Sequence, residues 1–436
     1  MTDNKPELLA PAGSLRHLQY AFAYGADAVY AGQPRYSLRV RNNEFSRLET
    51  LQEGIDYAHA LGKKFYVVSN ISPHNSKLKT YLDDMRPLVE MGPDALIMSD
   101  PGLIMMVRDN WPDMPVHLSV QANAVNYQTV EFWRRQGLER VILSRELSLE
   151  EIDEIRHQVP GIELEVFVHG ALCIAYSGRC LLSGYMNHRD PNQGTCTNAC
   201  RWTYQAHEAK ETAEGDVIAV APADLPQPVD DIVLLQEKAR PGEYMPAFED
   251  EHGTYIMNSK DLRAIEHVER LTQMGVHSLK IEGRTKSHFY VARTVQAYRK
   301  AIDLAASGQS FDPDLLGMLD SLAHRGYTEG FYRRHKPQYH QNYEQGSSKA
   351  WQQQFVAEVY DYRPGDVMLK LDVKNRFAVG DRIELMTPAG NLHFELAELF
   401  DDKGNAIDCA PGSGHKVQIA VPAEGDYRFG LLMRSL

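Results

Sequence analysis

The 436-residue chain is poor in cysteine and in long apolar runs, and each shortage excludes a class of protein. It has five cysteines, and an odd number with no secretory signal argues against a disulfide scaffold. The longest apolar stretches, such as ALIM and LEVFV, are far too short to span a bilayer. We therefore expect a cytoplasmic protein with no membrane anchor.

The chain also lacks a positive net charge. It carries 46 basic and 59 acidic residues, a net charge of −13. This balance argues against sequence-independent binding of nucleic acid, in which lysine and arginine neutralise phosphates. Basic residues are nevertheless concentrated in three short segments, 35–41, 284–286 and 333–336, which are compatible with a local basic face or with ordinary solvated surface.

The short motifs of common enzymes are missing as well. The chain has no H-E-x-x-H, no G-x-S-x-G, no D-[ST]-G pair and no G-x-G-x-x-G. A cysteine protease needs one exposed thiolate beside a histidine, whereas four of the five cysteines here occur together. The residues themselves therefore give no support to peptide hydrolysis.

Those four cysteines lie within 28 residues, spaced C-x6-C-x15-C-x3-C, while Cys409 is far away. Four thiolates are what an iron–sulfur cluster or a tetrahedral zinc ion requires. The spacing lacks the two-residue gaps of most zinc ribbons, so an iron–sulfur cluster of the [4Fe-4S] type is the favoured interpretation, and zinc or metal-free thiols are the alternatives. The predicted ligands are Cys173, Cys180, Cys196 and Cys200.

Short apolar segments alternate with amphipathic ones and predict an α/β fold, a (β/α)8 TIM-like barrel. The predicted strands are 7–10, 28–31, 64–69, 95–99, 116–120, 140–144, 163–168 and 278–282. Residues 255–258 are a ninth candidate, so the register of closure stays open. Ser148 and Glu151 form a predicted capping box, and Leu262, Ile265 and Val268 have the spacing of a helix.

Within the predicted strands, polar and apolar side chains alternate. Because the apolar faces must meet the helices outside, the polar faces should point into the barrel. This inward set comprises Lys280, Glu282, Glu163, Glu165, Phe167, His169, His117, Ser119, Gln121 and Asn123. The charged members either form Lys–Glu bridges between strands or make a polar mouth for an anionic substrate.

Active sites of such barrels lie where the strands run into the following loops. The polar residues at those positions are Asn70, Asp100, Gln121, Asn123, Arg145, Glu146, His169, Glu282 and Arg284. The cysteine segment leaves from the same end, directly after the strand that carries His169. His169 is interpreted as a proton carrier or, equally, as a strand-end hydrogen-bonding group.

Three regions are predicted along the chain. Residues 1–330 form the barrel, with a cysteine-rich loop at 170–204 and an acidic, proline-rich insertion or lid at 205–245 that we expect to be partly disordered. Residues 331–353 are an aromatic and basic connector. Residues 354–436 alternate short strands with glycine turns and predict a small antiparallel β-barrel.

Four segments resemble a known family. They are E-x-F-x-x-G-A-L-C-x6-C-L-x-S at 165–183, LLAPAGSLRHLQYAFAYGADAVYAG from residue 8, RDPNQGTCTNACRW at 189–202, and MNSKDLRAIEHVERLTQMGVHSLKIEGRTKSHFY from residue 257. Together they resemble peptidase family U32, the collagenase-like proteins, and most closely its tRNA-modifying branch. The resemblance runs nearly end to end.

The resemblance implies a function in tRNA modification. Members of that branch form 5-hydroxyuridine at the wobble position, depend on iron–sulfur assembly machinery and use prephenate, so the implied partners are a tRNA anticodon loop and a small dianion. The alternatives are a collagenase-like peptidase and a non-catalytic RNA-binding adaptor with a structural metal.

Candidate residues follow from this chemistry. Guanidinium groups grip carboxylates in a bidentate fork, which suits a dianion. The predicted substrate-binding residues are Arg39, Arg41, Arg145, Arg284, Gln121 and Asn123, and the predicted catalytic residues are His169, Lys280 and Glu282. Connector tyrosines could stack on an anticodon loop or pack between domains; they are Tyr327, Tyr332, Tyr339 and Tyr343.

Overall fold

A computed structural model describes most of the chain. The described residues are 5–38, 44–172, 209–211, 217–219, 233–236, 244–250, 253–255, 260–324, 326–333, 353–363, 365–366, 368–421 and 425–436.

Eight parallel strands form a closed barrel, as predicted. They are β1 (Glu7–Pro11), β2 (Ala28–Gly32), β3 (Lys64–Ser69), β4 (Ala95–Met98), β5 (Val116–Leu118), β6 (Arg140–Ile142), β7 (Glu163–Ala171) and, later in the chain, β14 (Ser278–Ile281). Each strand pairs with the next, and β14 pairs in parallel with both β7 and β1, which closes the sheet.

The segment between β7 and β14 contributes further strands. They are β8 (Ala209–Glu211), β9 (Val217–Ala219), β10 (Val233–Gln236), β11 (Tyr244–Asp250), β12 (Gly253–Tyr255) and β13 (Asp261–Arg263). Of the ninth barrel candidate, 255–258, only Tyr255 lies within the described residues. It ends β12, which pairs with β11 in a separate sheet, so the candidate is wrong at that residue. β13 runs antiparallel to the end of β7 and parallel to β15 (Tyr327–Thr328).

Helices surround the barrel. They are α1 (Leu15–Ala23), α2 (Leu48–Ala60), α3 (Asn75–Leu78), α4 (Tyr81–Glu90), α5 (Pro101–Asn110), α6 (Tyr127–Arg135), α7 (Leu149–Gln158), α8 (Val268–Gln273), α9 (His288–Ala306) and α10 (Asp314–Asp320). The capping box at Ser148 and Glu151 is confirmed at the start of α7. Among the described residues, no helix is both long and apolar enough to cross a membrane.

The main hydrophobic core lies between the barrel and its helices. The outward-facing strand residues are aliphatic and completely buried: Leu8, Val29, Val67, Leu96, Val141, Leu164 and Leu279. Burying one such side chain contributes roughly 1.5–3 kcal/mol. The same alternation that turns these residues outward turns their polar neighbours into the barrel.

The C-terminal residues form a curled antiparallel sheet, a half-barrel. Its strands are β16 (Gln353–Asp361), β17 (Met368–Val373), β18 (Phe377–Ala378), β19 (Arg382–Thr387), β20 (Gly390–Glu395), β21 (Leu399–Asp401), β22 (Cys409–Ala410), β23 (Lys416–Ala420) and β24 (Leu431–Ser435). Seven of them pair in the order β20-β19-β24-β16-β17-β23-β21. The predicted small antiparallel β-domain is thereby confirmed.

Helix α9 fastens this sheet to the barrel through buried polar contacts. Two nitrogens of Arg293 lie 2.7 Å from the two carboxylate oxygens of Glu384 on β19. Gln296, on the same helix, donates to the carbonyl oxygen of Thr387 over 3.1 Å. Phe289 stacks on Phe355 of β16 with ring centres 5.0 Å apart.

Candidate functional site

The half of the barrel interior near the N-terminal ends of the strands contains a network of paired charges. Arg140 is 3% exposed, and its Nη1 lies 2.6 Å from Glu7 Oε1 and 3.2 Å from Glu165 Oε2. Its Nη2 lies 2.7 Å from Glu163 Oε2. The other oxygen of Glu165 lies 2.8 Å from Lys280 Nζ. The prediction that charged strand faces point inward is confirmed for these residues.

Lys280 connects this network to the upper half of the interior. Its ammonium lies 4.3 Å from the ring centre of Tyr30 and 5.5 Å from that of Phe167. Burial lowers the pKa of Lys280, and the neighbouring Glu165 offsets part of that effect. The predicted Lys–Glu bridge between strands is therefore present. The polar groups of the interior continue from Lys280 toward the C-terminal ends of the strands.

The barrel mouth, the end where the strands run into their following loops, contains Glu282 and Arg145. Glu282 Oε2 lies 3.2 Å from the hydroxyl of Tyr30 and 4.0 Å from Arg145 Nη2. Arg145 stacks with its guanidinium carbon 4.0 Å from the ring centre of Phe167. Its Nη1 donates to the carbonyl oxygen of Ala171 over 3.1 Å. A carboxylate and a guanidinium therefore share the mouth.

Arg284 lies on the other side of Tyr30. Its Nη2 donates to the carbonyl oxygen of Leu38 over 2.9 Å, and its guanidinium carbon lies 5.8 Å from the Tyr30 ring centre. The structure thus brings Lys280, Glu282, Arg145 and Arg284 together around the aromatic rings of Tyr30 and Phe167.

Gln121 and Asn123 reach the mouth by a different route from the one predicted. Strand β5 ends at Leu118, and a 3-10 turn, Val120–Ala122, carries Gln121. Asn123 follows with a left-handed φ of 55°, and its Oδ1 accepts a hydrogen bond of 2.8 Å from Ser144 after β6. The strand alternation therefore does not extend to these two residues, and their binding role stays a prediction.

The predicted inward orientation of His169 is wrong. The pairing of β14 with β7 shifts by one residue, so that Lys280 faces Phe167 but Ile281 faces His169. This bulge turns the imidazole toward the helix layer, where Tyr290, Tyr298 and Tyr327 surround it with ring centres 5.8, 5.5 and 5.5 Å away. Burial lowers the pKa of His169 to about 3, which keeps the ring neutral. This environment gives no support to a proton carrier at the mouth.

Several predicted residues lie outside the described ranges. They are Arg39, Arg41, Cys173, Cys180, Cys196, Cys200, Tyr339 and Tyr343. Among the residues that the structure describes, no group of three or more histidine, cysteine or acidic side chains is arranged to hold a metal. The residue before the first cysteine, Leu172, is buried at the end of β7. Cys173 follows Leu172 in the sequence and is the first residue beyond this described range.

The two described connector tyrosines pack inside the protein. Tyr332 is 7% exposed and donates a 2.5 Å hydrogen bond to the carbonyl oxygen of Phe167. The ring of Tyr327 stacks on His324, with centres 4.1 Å apart, and on Arg263. These contacts lie within the barrel region rather than between the two domains, and they give no support to stacking on an RNA loop.

Sequence reasoning missed Tyr30 and Gly32. Both share the inward parity of β2, in which Tyr30 pairs with Pro11 of β1 and Tyr66 of β3. The same alternation that identified Lys280 would have found them, but the segment AVYAG carries no charge to attract attention.

Comparison with known sequences identifies the family. The profile of Peptidase family U32 matches residues 13–342, and that of the Peptidase family U32 C-terminal domain matches residues 351–434. The chain belongs to peptidase family U32. The resemblance inferred from the four segments is confirmed.

Relatives within the family are named for RNA hydroxylation. The tRNA hydroxylation protein P of Escherichia coli K12 is 65% identical, covering 99% of this chain and 97% of that protein. The protein of the same name from Haemophilus influenzae is 60% identical, covering 100% and 97%. The 23S rRNA 5-hydroxycytidine C2501 synthase of Escherichia coli K12 is 29% identical, covering 77% of this chain and 46% of that protein.

Proposed function

We propose that this chain hydroxylates tRNA, forming 5-hydroxyuridine at the wobble position, and that the barrel mouth is the reaction site. The names of relatives that match almost the whole chain support the substrate, and a relative named for hydroxylation of rRNA supports the reaction class. The observation that carries the location is the grouping of Lys280, Glu282, Arg145 and Arg284 at one end of the barrel.

The co-substrate we propose is prephenate, a dianion. Arg145 and Arg284 are the described guanidinium groups of the mouth, and each can bind one carboxylate in a bidentate fork. Lys280 adds a buried positive charge below them. Arg39 and Arg41 stay in the proposal as further carboxylate ligands from the loop after β2.

The second substrate is an unpaired uridine. A base in an anticodon loop can be turned out of its stack at small cost and placed in a pocket. Glu282 is the proposed acceptor of a proton or hydrogen bond from the substrate, because its carboxylate lies at the mouth between Tyr30 and Arg145.

We propose further that the four clustered cysteines hold an iron–sulfur cluster. Four thiolates suit that group, and Ala171, two residues before Cys173, accepts a hydrogen bond from Arg145 at the mouth. When bound, the cluster would supply electron transfer or Lewis-acid chemistry beside the substrate.

Metal content of anaerobically purified protein tests the cluster. We expect a brown protein with about four irons per chain, as for one [4Fe-4S] centre. Cys173→Ala should lose the colour, and Cys409→Ala, in the C-terminal sheet, should keep it. A colourless protein with one equivalent of zinc would reject the cluster.

Nucleoside mass spectrometry tests the function. We expect tRNA from cells that lack the gene, and any redundant pathway, to lose hydroxylated wobble uridine, and expression of this chain to restore it. Failure to restore the modification would favour a peptidase or an RNA-binding adaptor.

A further inference from the structure

Gly32, the last residue of β2, lies against the guanidinium of Arg284. A Cβ atom at this position would lie 2.5 Å from Ser37 Oγ and 2.6 Å from Arg284 Nη1, both far inside van der Waals contact. The φ angle of Gly32 is not in the left-handed region, so the backbone does not demand glycine. Position 32 requires glycine because there is no room for a Cβ atom beside Ser37 and Arg284.

The guanidinium that occupies this space is held from other sides as well. The carbonyl oxygen of Leu38 accepts its 2.9 Å hydrogen bond, and the ring of Tyr30 lies 5.8 Å below its central carbon. Ser37 is completely buried, and its hydroxyl donates to the carbonyl oxygen of Gln33 over 2.7 Å, so the wall opposite Gly32 is fixed too. A cation fixed in this way loses little side-chain freedom when it binds an anion.

We propose that Gly32 is a positioning residue for co-substrate binding: the missing side chain keeps Arg284 in the orientation that receives a carboxylate. This inference rests on the proposed function, in which a dicarboxylate binds at the mouth. Gly32 does not touch the substrate in this account and acts through Arg284. The ligand class is a small dicarboxylate, for which prephenate is the probe.

Gly32→Ala tests the inference. The methyl group meets the Ser37 hydroxyl at 2.5 Å and the end of the flexible Arg284 side chain at 2.6 Å, so we expect the protein to fold with the hydroxyl rotated away and the guanidinium moved. We expect the dissociation constant for prephenate, measured by calorimetry, to rise about tenfold or more, the loss of one charge-assisted hydrogen bond. In the hydroxylation assay, KM for prephenate should rise by the same factor while kcat changes little.

The matched control is Gly317→Ala. Gly317 lies in α10, its φ is also not left-handed, and a Cβ there meets nothing within 4 Å. This variant should bind prephenate as wild type does. A wild-type dissociation constant for Gly32→Ala would overturn the inference.

A double-mutant cycle separates action through Arg284 from a general disturbance of the mouth. In an Arg284→Ala background, Gly32→Ala should cause no additional loss of prephenate binding. Equal losses in both backgrounds would show that Gly32 does not act through Arg284.

A second pair covers the case in which the clash with Arg284 makes Gly32→Ala fold poorly. Lysine at position 284 lacks the branch that clashes, so Arg284→Lys and Gly32→Ala/Arg284→Lys should bind prephenate equally. A further loss in the double variant would contradict the inference. Wild-type protein that neither binds prephenate nor modifies tRNA would overturn the proposed function itself, whereas normal binding by Gly32→Ala overturns the inference alone.

Discussion

At the scale of single residues, Glu165 holds the barrel interior together. It is completely buried, and its two oxygens contact Lys280 and Arg140, which come from different strands. A buried cation is tolerated only when it is paired, because removal from water costs several kcal/mol per ion. Lys280 pairs with this carboxylate, and Arg140 pairs with it as well as with Glu7 and Glu163.

Glu165→Gln should therefore be strongly destabilising. It keeps the shape of the side chain but removes the charge that compensates Lys280 and one of the three carboxylates around Arg140, and breaking a buried pair costs about 3–5 kcal/mol. Urea unfolding measures the loss. Glu131→Gln is the control, because Glu131 pairs with Arg134 and Arg135 on the exposed side of α6, and its urea midpoint should not move. Equal midpoints for both variants would contradict the account.

The contacts of Glu358 predict a contribution to the free energy of unfolding that is lost in acid. Burial alone would raise its pKa, but hydrogen bonds from His288, Lys374 and Arg16 lower it to about 2, from an ordinary 4.5. Because the folded pKa is depressed, this contribution is fully present above pH 4.5 and disappears as the pH falls toward 2.

Glu358→Gln should therefore be less stable than wild type at pH 6, with a difference that shrinks between pH 4.5 and 2. Thermal unfolding across that range measures it. A constant difference between the two proteins at all pH values would show that the carboxylate charge does not contribute.

At the scale of elements, helix α9 joins the barrel to the C-terminal sheet. Arg293 is 1% exposed and makes a bidentate pair with Glu384, while Tyr24, which caps the end of α1, donates to the carbonyl oxygens of Met386 and Phe429 over 3.0 and 2.9 Å. Two helices of the barrel thus contact different parts of the same sheet.

Arg293→Met and Glu384→Leu should each cost about 3–5 kcal/mol, because each leaves the partner buried without compensation. The double variant should cost clearly less than the sum, since neither charge remains. A urea double-mutant cycle checks this, and additive losses would contradict a direct pairing across the interface.

The elements also show what the sequence could and could not predict. Alternation located all eight barrel strands and placed Lys280 and Glu165 inside, because side chains on a strand must alternate. It misplaced His169, because a one-residue bulge in the pairing with β14 is not encoded in the alternation. It predicted a strand over 116–120 and continued the alternation to Asn123, whereas β5 ends at Leu118 and a 3-10 turn begins at Val120.

Helical spacing also gave a wrong prediction, at Leu262. Leu262, Ile265 and Val268 have the period of a helix, but Asp261–Arg263 is strand β13, held by pairing with β7 and β15. Tertiary hydrogen bonds outweighed local spacing there. Alternation places Tyr30 and Gly32 on the inward face, but their role could not be predicted from sequence, because it depends on contacts with residues some 250 positions away.

At the scale of the whole molecule, the polar interior runs from the base of the barrel to its mouth. Glu7 and Arg140 lie at the base, Glu165 and Lys280 in the middle, and Glu282 with Arg145 at the mouth. The charges are paired in all three layers, Glu282 with Arg145 included, and the mouth is the proposed place for an anionic substrate because it is the layer next to the loops that follow the strands. The cysteine segment begins at that same end, after β7.

The content of 5-hydroxyuridine in tRNA from cells that carry Glu282→Gln in place of the wild-type chain tests the central claim most directly. Glutamine still accepts a hydrogen bond from Tyr30, so the purified variant should fold, keep its iron and melt near the wild-type temperature. The account predicts that the modification falls to the level of cells without the gene. Wild-type levels of 5-hydroxyuridine in those cells would contradict a reaction site at the barrel mouth.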